Sequence, residues 1–173
     1  KVEQATLERV YLVPSTRTAG PGEAEALEVM AHLIGGGQTS ALYRDLVLDR
    51  KIAVAAGAYY MGSSLDATRL WLYAVPAPDV SLETLDAAMD AALAQFVSAP
   101  PGDKDFQRAK TRLVADAVYA QDSQVALARW YGAALAIGES IADVSGWSAR
   151  IEAVTPEAVL AAAKKWLDKR RAV

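Results

Sequence analysis

The chain has 173 residues, of which 53% are hydrophobic and 23% are charged, and its formal net charge is −3. These values are typical of one folded domain with its own hydrophobic core, and the small negative charge argues against a protein that binds nucleic acid through its phosphates. The sequence contains no cysteine and one histidine, which excludes disulfides, iron–sulfur clusters and thiolate zinc sites.

The beginning of the sequence predicts a strand followed by a helix. Residues 7–13 are rich in strand-forming side chains and end at Pro14, which cannot donate a backbone hydrogen bond to a sheet. From Gly22 to Ile34 the apolar residues recur at the spacing of one helix face.

A glycine turn and a second, shorter helix follow. Gly35, Gly36 and Gly37 are predicted to end the first helix, because glycine enters the left-handed conformation of a helix C-terminus without a steric penalty. Thr39 or Ser40 is the predicted N-cap of the second helix. Hydroxyls at these positions could also suggest nucleophiles, but no general base lies near them in the sequence, so capping is the favoured interpretation.

Two apolar runs, 52–61 and 68–75, are separated by a polar turn and predict an antiparallel hairpin. The aromatic residues of this hairpin are Tyr59, Tyr60, Trp71 and Tyr73. We expect them to be divided between a buried and an exposed face of the sheet, and rings on the exposed face could bind peptide.

The rest of the sequence is predicted to be helical, with a terminal strand after residue 170. The predicted helices cover 82–97, a long segment with Asp103 as its N-cap, 125–137, 141–151, and a last helix to 167 that begins at Thr155 with Pro156 as its first residue. An acidic stripe (Glu83, Asp86, Asp90) is expected to face solvent. A basic cluster is expected to complement a helix dipole: Lys164, Lys165, Lys169, Arg170 and Arg171.

This order of elements predicts an α+β fold, a mostly antiparallel sheet with helices packed on one face, formed by residues 1–173 as a single domain. The glycine-rich helix end with its hydroxyl-rich restart (residues 33–43) and the Thr155-Pro156-Glu157 helix start resemble the pitrilysin-type zinc metallopeptidases, which include the mitochondrial processing peptidase. The similarity is to their second, C-terminal αβ domain, which holds no zinc. It implies that the chain is one part of a longer two-domain protein, of bacterial cytoplasm or periplasm.

Catalysis in this family requires an inverted zinc motif, H-x-x-E-H, in which two histidines bind zinc and the glutamate activates a water molecule. The chain has only His32, in an apolar helix, so the motif cannot be built. We therefore predict no catalytic and no metal-binding residue here, and we interpret His32 as a packed or surface residue. The resemblance implies that zinc belongs to the other domain of the parent protein, which would be a zinc metalloendopeptidase.

The second domain of active family members contributes an Arg and a Tyr, seven residues apart, that hold the substrate. Val47 and Val54 occupy the matching positions, and both are apolar. The best candidates for substrate contact are then Arg50 and Tyr59, which lie close in sequence but do not reproduce the spacing.

The resemblance implies a non-catalytic domain that encloses peptide substrate or regulates a zinc metallopeptidase. Its partners would be the peptide and the zinc-bearing αβ domain of the same or another chain, and a homo-oligomer is compatible with the family. The alternative is a structural or assembly subunit without protease activity, and a third hypothesis is an unrelated α+β binding module. No partner is expected to be nucleic acid, and no apolar run approaches the ~20 residues of a membrane-spanning helix.

Overall fold

A computed structural model describes residues 5–173, which form an antiparallel sheet with helices against one face. The strands are β1 (Leu7–Val13), β2 (Ala53–Tyr60) and β3 (Thr68–Pro76), in the spatial order β1–β3–β2. The helices are α1 (Glu23–Gly35), α2 (Leu82–Phe96), α3 (Asp103–Ala120), α4 (Gln124–Ala136), α5 (Ile141–Ser145), α6 (Trp147–Ala153) and α7 (Pro156–Trp166). A π-helix covers Tyr43–Asp49 and a 3-10 turn covers Lys169–Arg171. The predicted α+β fold is confirmed.

The sheet has one covered and one open face, because successive side chains of a strand point in opposite directions. Burial alternates along β3, with Leu70, Leu72 and Ala74 fully buried and the residues between them half-buried or exposed. The register of β1 against β3 pairs Tyr11 with Leu70, so both side chains lie on the covered face. The residues that alternate with these, Trp71 among them, belong to the open face.

The hydrophobic core lies between the covered face and helices α1, α2 and α7. Its fully buried side chains come from both layers and include Tyr11, Leu27, Met30, Ile34, Leu72, Leu85 and Met89. At about 25 cal/mol per Å² of apolar surface, this burial is the main favourable contribution to folding. Within residues 5–173, no helix combines the length and the apolar character needed to cross a bilayer.

Three predicted helix starts are confirmed by their capping hydrogen bonds. Ser81 Oγ accepts from the Thr84 amide at 3.1 Å, and Ser123 Oγ accepts from the Ala126 amide at 3.2 Å. Thr155 Oγ1 accepts from the Ala158 amide at 3.2 Å, with Pro156 as the first helical residue. Each hydroxyl satisfies an amide that the first helical turn leaves without a partner.

Two predicted caps are wrong. The helix after the glycine turn is a π-helix without a side-chain cap, and the Ser40 hydroxyl is buried without a hydrogen-bond partner. Asp103 is the first residue of α3, whose N-cap is Gly102. As a residue of the first turn, Asp103 contributes its negative charge to the positive end of the helix dipole.

The predicted helix 141–151 is divided into α5 and α6 at Gly146, which serves both as the C-cap of α5 and as the N-cap of α6. The predicted terminal strand is reduced to one antiparallel bridge between Tyr11 and Ala172. Beside it, the amide of Val10 donates to the carbonyl of Val173 at 2.8 Å and the reverse bond is 3.0 Å. The chain therefore only begins a fourth strand at the free edge of β1.

The acidic stripe of α2 was predicted to be solvated, and this is wrong for two of its three members. Asp86 and Asp90 both bind the guanidinium of Arg9, which is 4% exposed on the covered face of β1. Lys169 Nζ binds the same two carboxylates at 2.8 and 2.5 Å. Lys169, which belongs to the basic cluster that was predicted to complement a helix dipole, therefore forms direct ion pairs. Together, the pairs of Arg9 and Lys169 join α2 to β1 and to the 3-10 turn.

Candidate functional site

The open face of the sheet carries a cluster of three aromatic rings. The Tyr59 ring lies 5.4 Å from that of Trp71 and 5.9 Å from that of Tyr73, measured between centroids. The first pair is inclined by 64°, the edge-to-face arrangement that aromatic rings favour. Tyr59 is 45% exposed, and Leu12, on the same face, is 65% exposed. This aromatic face is a partly exposed cluster of rings outside the core.

Gly57 explains how Tyr73 reaches its place in this cluster. A Cβ atom on Gly57 would lie 2.5 Å from the Tyr73 ring, so only glycine leaves room for the ring to cross the β2 backbone. The predicted division of hairpin aromatics is also observed. Tyr60 packs on the core side and donates a 2.7 Å hydrogen bond to the Pro14 carbonyl, whereas the other three rings lie on the open face.

Trp71 has an indole N–H that is buried without an acceptor in the described part of the chain. A buried donor without a partner costs free energy, and native proteins keep such groups rarely. The donor lies beneath the aromatic face and does not reach its surface, so this face offers apolar ring area to a partner.

The two residues predicted to contact substrate lie at opposite ends of β2. Arg50 follows the π-helix directly, and its Nε donates to Asp45 Oδ1 at 3.1 Å. Tyr59 lies near the other end of the strand, about 20 Å away at ~3.3 Å per residue. The structure does not bring these side chains together, but an extended peptide of about six residues has the length to contact both.

The positions matched to the substrate-holding Arg and Tyr are apolar in structure as well as in sequence. Val47 is half-buried and packs against the core, and Val54 is 50% exposed at the start of β2. Neither side chain can donate a hydrogen bond to a peptide carbonyl or to a developing oxyanion.

The glycine turn supports close packing. A Cβ on Gly35 would lie 1.8 Å from the Ala58 nitrogen, so the end of α1 contacts the β2 backbone directly. Gly37 has φ 145°, a conformation that other residues adopt rarely, whereas Gly36 has an ordinary φ of −77°. The Gly36 amide donates to the His32 carbonyl at 2.8 Å, which completes the helix end.

Zinc does not fit the residues of this chain. His32 is half-buried, and burial together with the positive charge of Arg112 lowers the pKa of its imidazole. In residues 5–173, no three His, Asp or Glu side chains lie close enough together to hold a metal ion. A single imidazole without carboxylate partners is not a zinc site.

The family model of the peptidase M16 inactive domain matches residues 1–113. The chain belongs to this family. The resemblance to the second αβ domain of pitrilysin-type peptidases, inferred from the glycine turn and the last helix start, is thereby confirmed. No curated protein sequence matches the chain.

Solved structures with this fold include a protease from Helicobacter pylori, with a TM-score of 0.87 and 17% identity over 96% of this chain. An inactive peptidase domain from Bordetella parapertussis has a TM-score of 0.84 and 17% identity over 97% of this chain and 88% of its own. A peptidase M16 inactive domain from Pseudomonas fluorescens has a TM-score of 0.83 and 17% identity over 97% of this chain. The chain spans only 39% of the length of the Helicobacter and Pseudomonas chains.

One group with functional potential is absent from the sequence-based predictions. Glu28 lies on α1 between the buried residues Leu27 and Val29, where its carboxylate faces a cavity. A glutamate within such an apolar run is the signal that could have identified it. No motif surrounds it, so only the packing of α1 against later helices shows what lies around its carboxylate.

Proposed function

We propose that this inactive peptidase domain is one half of a two-domain zinc peptidase and forms a wall of the space that encloses the peptide. Residues 1–173 would be a single αβ domain, and the zinc-bearing αβ domain would lie in the same or a partner chain. The Bordetella relative, which is described as a candidate zinc protease, supports this assignment by analogy of fold.

The observation that carries the proposal is the uncovered aromatic face. Monomeric proteins rarely expose large contiguous apolar patches, and such patches are typical of binding surfaces. Tyr59, Trp71 and Tyr73 would contact apolar side chains of the peptide through their rings. The domain would thus supply surface and orientation while the other half supplies the chemistry.

Arg50 is the proposed contact at the far end of β2. The Arg50 side chain is 45% exposed in its ion pair with Asp45, so part of the guanidinium remains accessible to a peptide carbonyl or carboxylate. Together with Tyr59 it would fix an extended peptide along the strand.

A second candidate function is that of a structural or assembly subunit without protease activity. Val47 and Val54 favour it, because they lack the donors that active relatives place at these positions. In that case the aromatic face would contact a partner subunit and not a peptide.

The experiment reunites the domain with its zinc-bearing half and compares peptide turnover by two variants. Tyr59→Ser removes a ring of the aromatic face, and Tyr119→Ser removes an exposed ring of α3 as a matched control. The expected result is a kcat/KM reduced about tenfold by Tyr59→Ser, about 1.4 kcal/mol of lost binding in the transition state, with zinc content unchanged. Arg50→Gln should give a similar loss.

Equal turnover by Tyr59→Ser, Arg50→Gln and Tyr119→Ser would contradict the peptide-contacting role. A complex that holds no zinc and cleaves no peptide even with the wild-type domain would support the assembly subunit instead.

A further inference from the structure

A cavity of about 580 Å³ lies on the helical side of the domain. Helices α1, α3, α4, α5 and α6 contribute to its walls, together with the end of β2. Its volume is within the range of small-molecule sites. Neither the family assignment nor the proposed peptide contact involves this cavity.

Aromatic rings form a corner of the cavity. Trp130 of α4 and Trp147 of α6 meet at 90° with their centroids 5.8 Å apart. Tyr60 closes a third side, and its hydroxyl is already bonded to the Pro14 carbonyl, so it offers its ring. Faces of Trp and Tyr attract cations that are weakly hydrated, such as alkylammonium groups.

Acidic groups outnumber basic groups around this corner. Glu28, Asp116, Glu139 and Asp143 line the cavity, against one guanidinium, that of Arg150. Arg150 is already engaged, since its Nε donates to Glu25 at 2.5 Å and its second amino group donates to the Asp143 carbonyl at 2.9 Å. The negative charge of the cavity is therefore not balanced from within.

Glu28 is the acidic group of this cavity that is hydrogen-bonded to one of the two tryptophan rings. Trp147 Nε1 donates to its Oε2 at 2.9 Å, and in residues 5–173 the carboxylate has no ion pair. Burial raises the pKa of Glu28 to about 7, because this effect and the charge of Glu25 outweigh the hydrogen bond from Trp147 and the charge of Arg150, which lower it. A cation beside Glu28 would relieve the cost of a desolvated negative charge.

We propose that this cavity binds an organic monocation, with its alkylammonium group between the Trp130 and Trp147 rings and the Glu28 carboxylate. A hard metal ion is disfavoured because it would require several oxygen ligands around one point, and the described carboxylates do not cluster in that way. A neutral apolar ligand would leave the carboxylate uncompensated. The site is independent of the proposed peptide-binding face.

The test uses tetramethylammonium chloride as the probe, tert-butanol as a neutral molecule of similar shape, and sodium chloride at equal ionic strength. The indole N–H resonances of the whole chain are followed by NMR, and each is assigned by Trp→Phe substitution. Tetramethylammonium should shift the Trp130 and Trp147 resonances saturably and leave those of Trp71 and Trp166 unchanged. Neither tert-butanol nor sodium should reproduce this pattern.

Glu28→Gln is the decisive variant, because glutamine keeps the size of the side chain and an oxygen acceptor for Trp147. It should weaken tetramethylammonium binding at least tenfold, whereas the matched control Glu152→Gln, an exposed position of α6, should not. Equal affinity in Glu28→Gln, or equal binding of tert-butanol, would overturn the proposal and leave an apolar crevice only.

A pH series on the wild-type chain gives an independent measure that needs no variant. Glu28 is faced by Glu25 on its own helix, Asp116 of α3, Tyr60 of β2, Asp143 of α5 and Arg150 of α6. Because Glu28 ionises near pH 7, affinity should rise severalfold between pH 6 and pH 8. An affinity that does not change with pH would contradict the role of this carboxylate.

Discussion

The two faces of the sheet use the same strands in different ways. On the covered face, Tyr11, Leu70 and Leu72 are no more than 1% exposed and belong to the hydrophobic core that the helices cover. On the open face, Tyr59 is 45% exposed and stacks only on its neighbours of the same face. One face therefore determines the stability of the domain, and the other is available for binding at little cost to stability.

This difference also explains why the domain can lose catalytic groups and keep its fold. The elements that hold the sheet together are glycine contacts, buried apolar side chains and one charged network, and none of them is required for chemistry. The proposed binding surface consists of the rings of the open face, which lie outside the core. Substitutions on the two faces should accordingly have separable effects.

The largest expected effect is that of Gly35→Val on the covered side. Its Cβ would lie 1.8 Å from the backbone nitrogen of Ala58, a distance that forces α1 away from β2. We expect a loss of about 3 kcal/mol or more in the free energy of unfolding, measured by urea denaturation. Gly132→Ala, where a Cβ meets nothing within 4 Å, is the control and should change stability by less than about 1 kcal/mol. An unchanged midpoint for Gly35→Val would refute the close contact.

The next effect tests the charged network of the covered face. Arg9→Met should cost about 3 kcal/mol, because it leaves Asp86 and Asp90 beside each other with only Lys169 to balance them. Lys169→Met should cost less than about 1 kcal/mol, since this side chain is 56% exposed. Equal losses in the two variants would show that burial of Arg9 does not matter.

The same network predicts a dependence on pH. Hydrogen bonds from Lys169 and then from Arg9 hold the pKa of Asp86 below its ordinary value. A carboxyl with a lowered folded-state pKa stabilises the fold above its unfolded pKa, about 3.9, and this contribution is lost as the pH falls through the folded value. The difference between wild type and Arg9→Met should therefore narrow below about pH 4, as measured by thermal melts across pH. A constant difference down to pH 2 would contradict it.

The smallest effect is expected on the open face. Tyr59→Ser removes two aromatic contacts and should cost about 1 kcal/mol, measured by the same urea titration. A loss of 3 kcal/mol or more would mean that the open face belongs to the core of the domain, and the separation of the two faces would then fail.

Most of the fold could be predicted from the sequence because its signals are local. The hairpin 52–75 follows from alternating apolar residues and a polar turn, and the start of α7 follows from the hydroxyl cap of Thr155 and from Pro156. The glycine-rich end of α1 was also predictable, although its closest contact is that of Gly35 with β2 and involves no special φ.

The errors arise where a residue's partner is distant in sequence. Asp86 and Asp90 were interpreted as part of a solvated stripe, because their partner Arg9 lies about eighty positions away in the sequence. The carboxylate of Glu28 faces helices that follow it by a hundred residues or more, so its surroundings cannot be read from its own segment. Arg50 and Tyr59 were proposed together because they lie close in sequence, and their contact with a peptide stays a prediction.

The strand order β1–β3–β2 also has a kinetic consequence. β2 and β3 are joined by a short turn and can pair early, whereas β1 must wait for a partner that the ribosome makes more than fifty residues later. Until β1 closes this long loop and pairs, the edge of β3 that it occupies is unpaired, and the apolar side chains Leu70 and Leu72 lack their neighbours from β1. This partly assembled hairpin is the species in which intermolecular strand pairing, and hence aggregation, is expected to compete with folding.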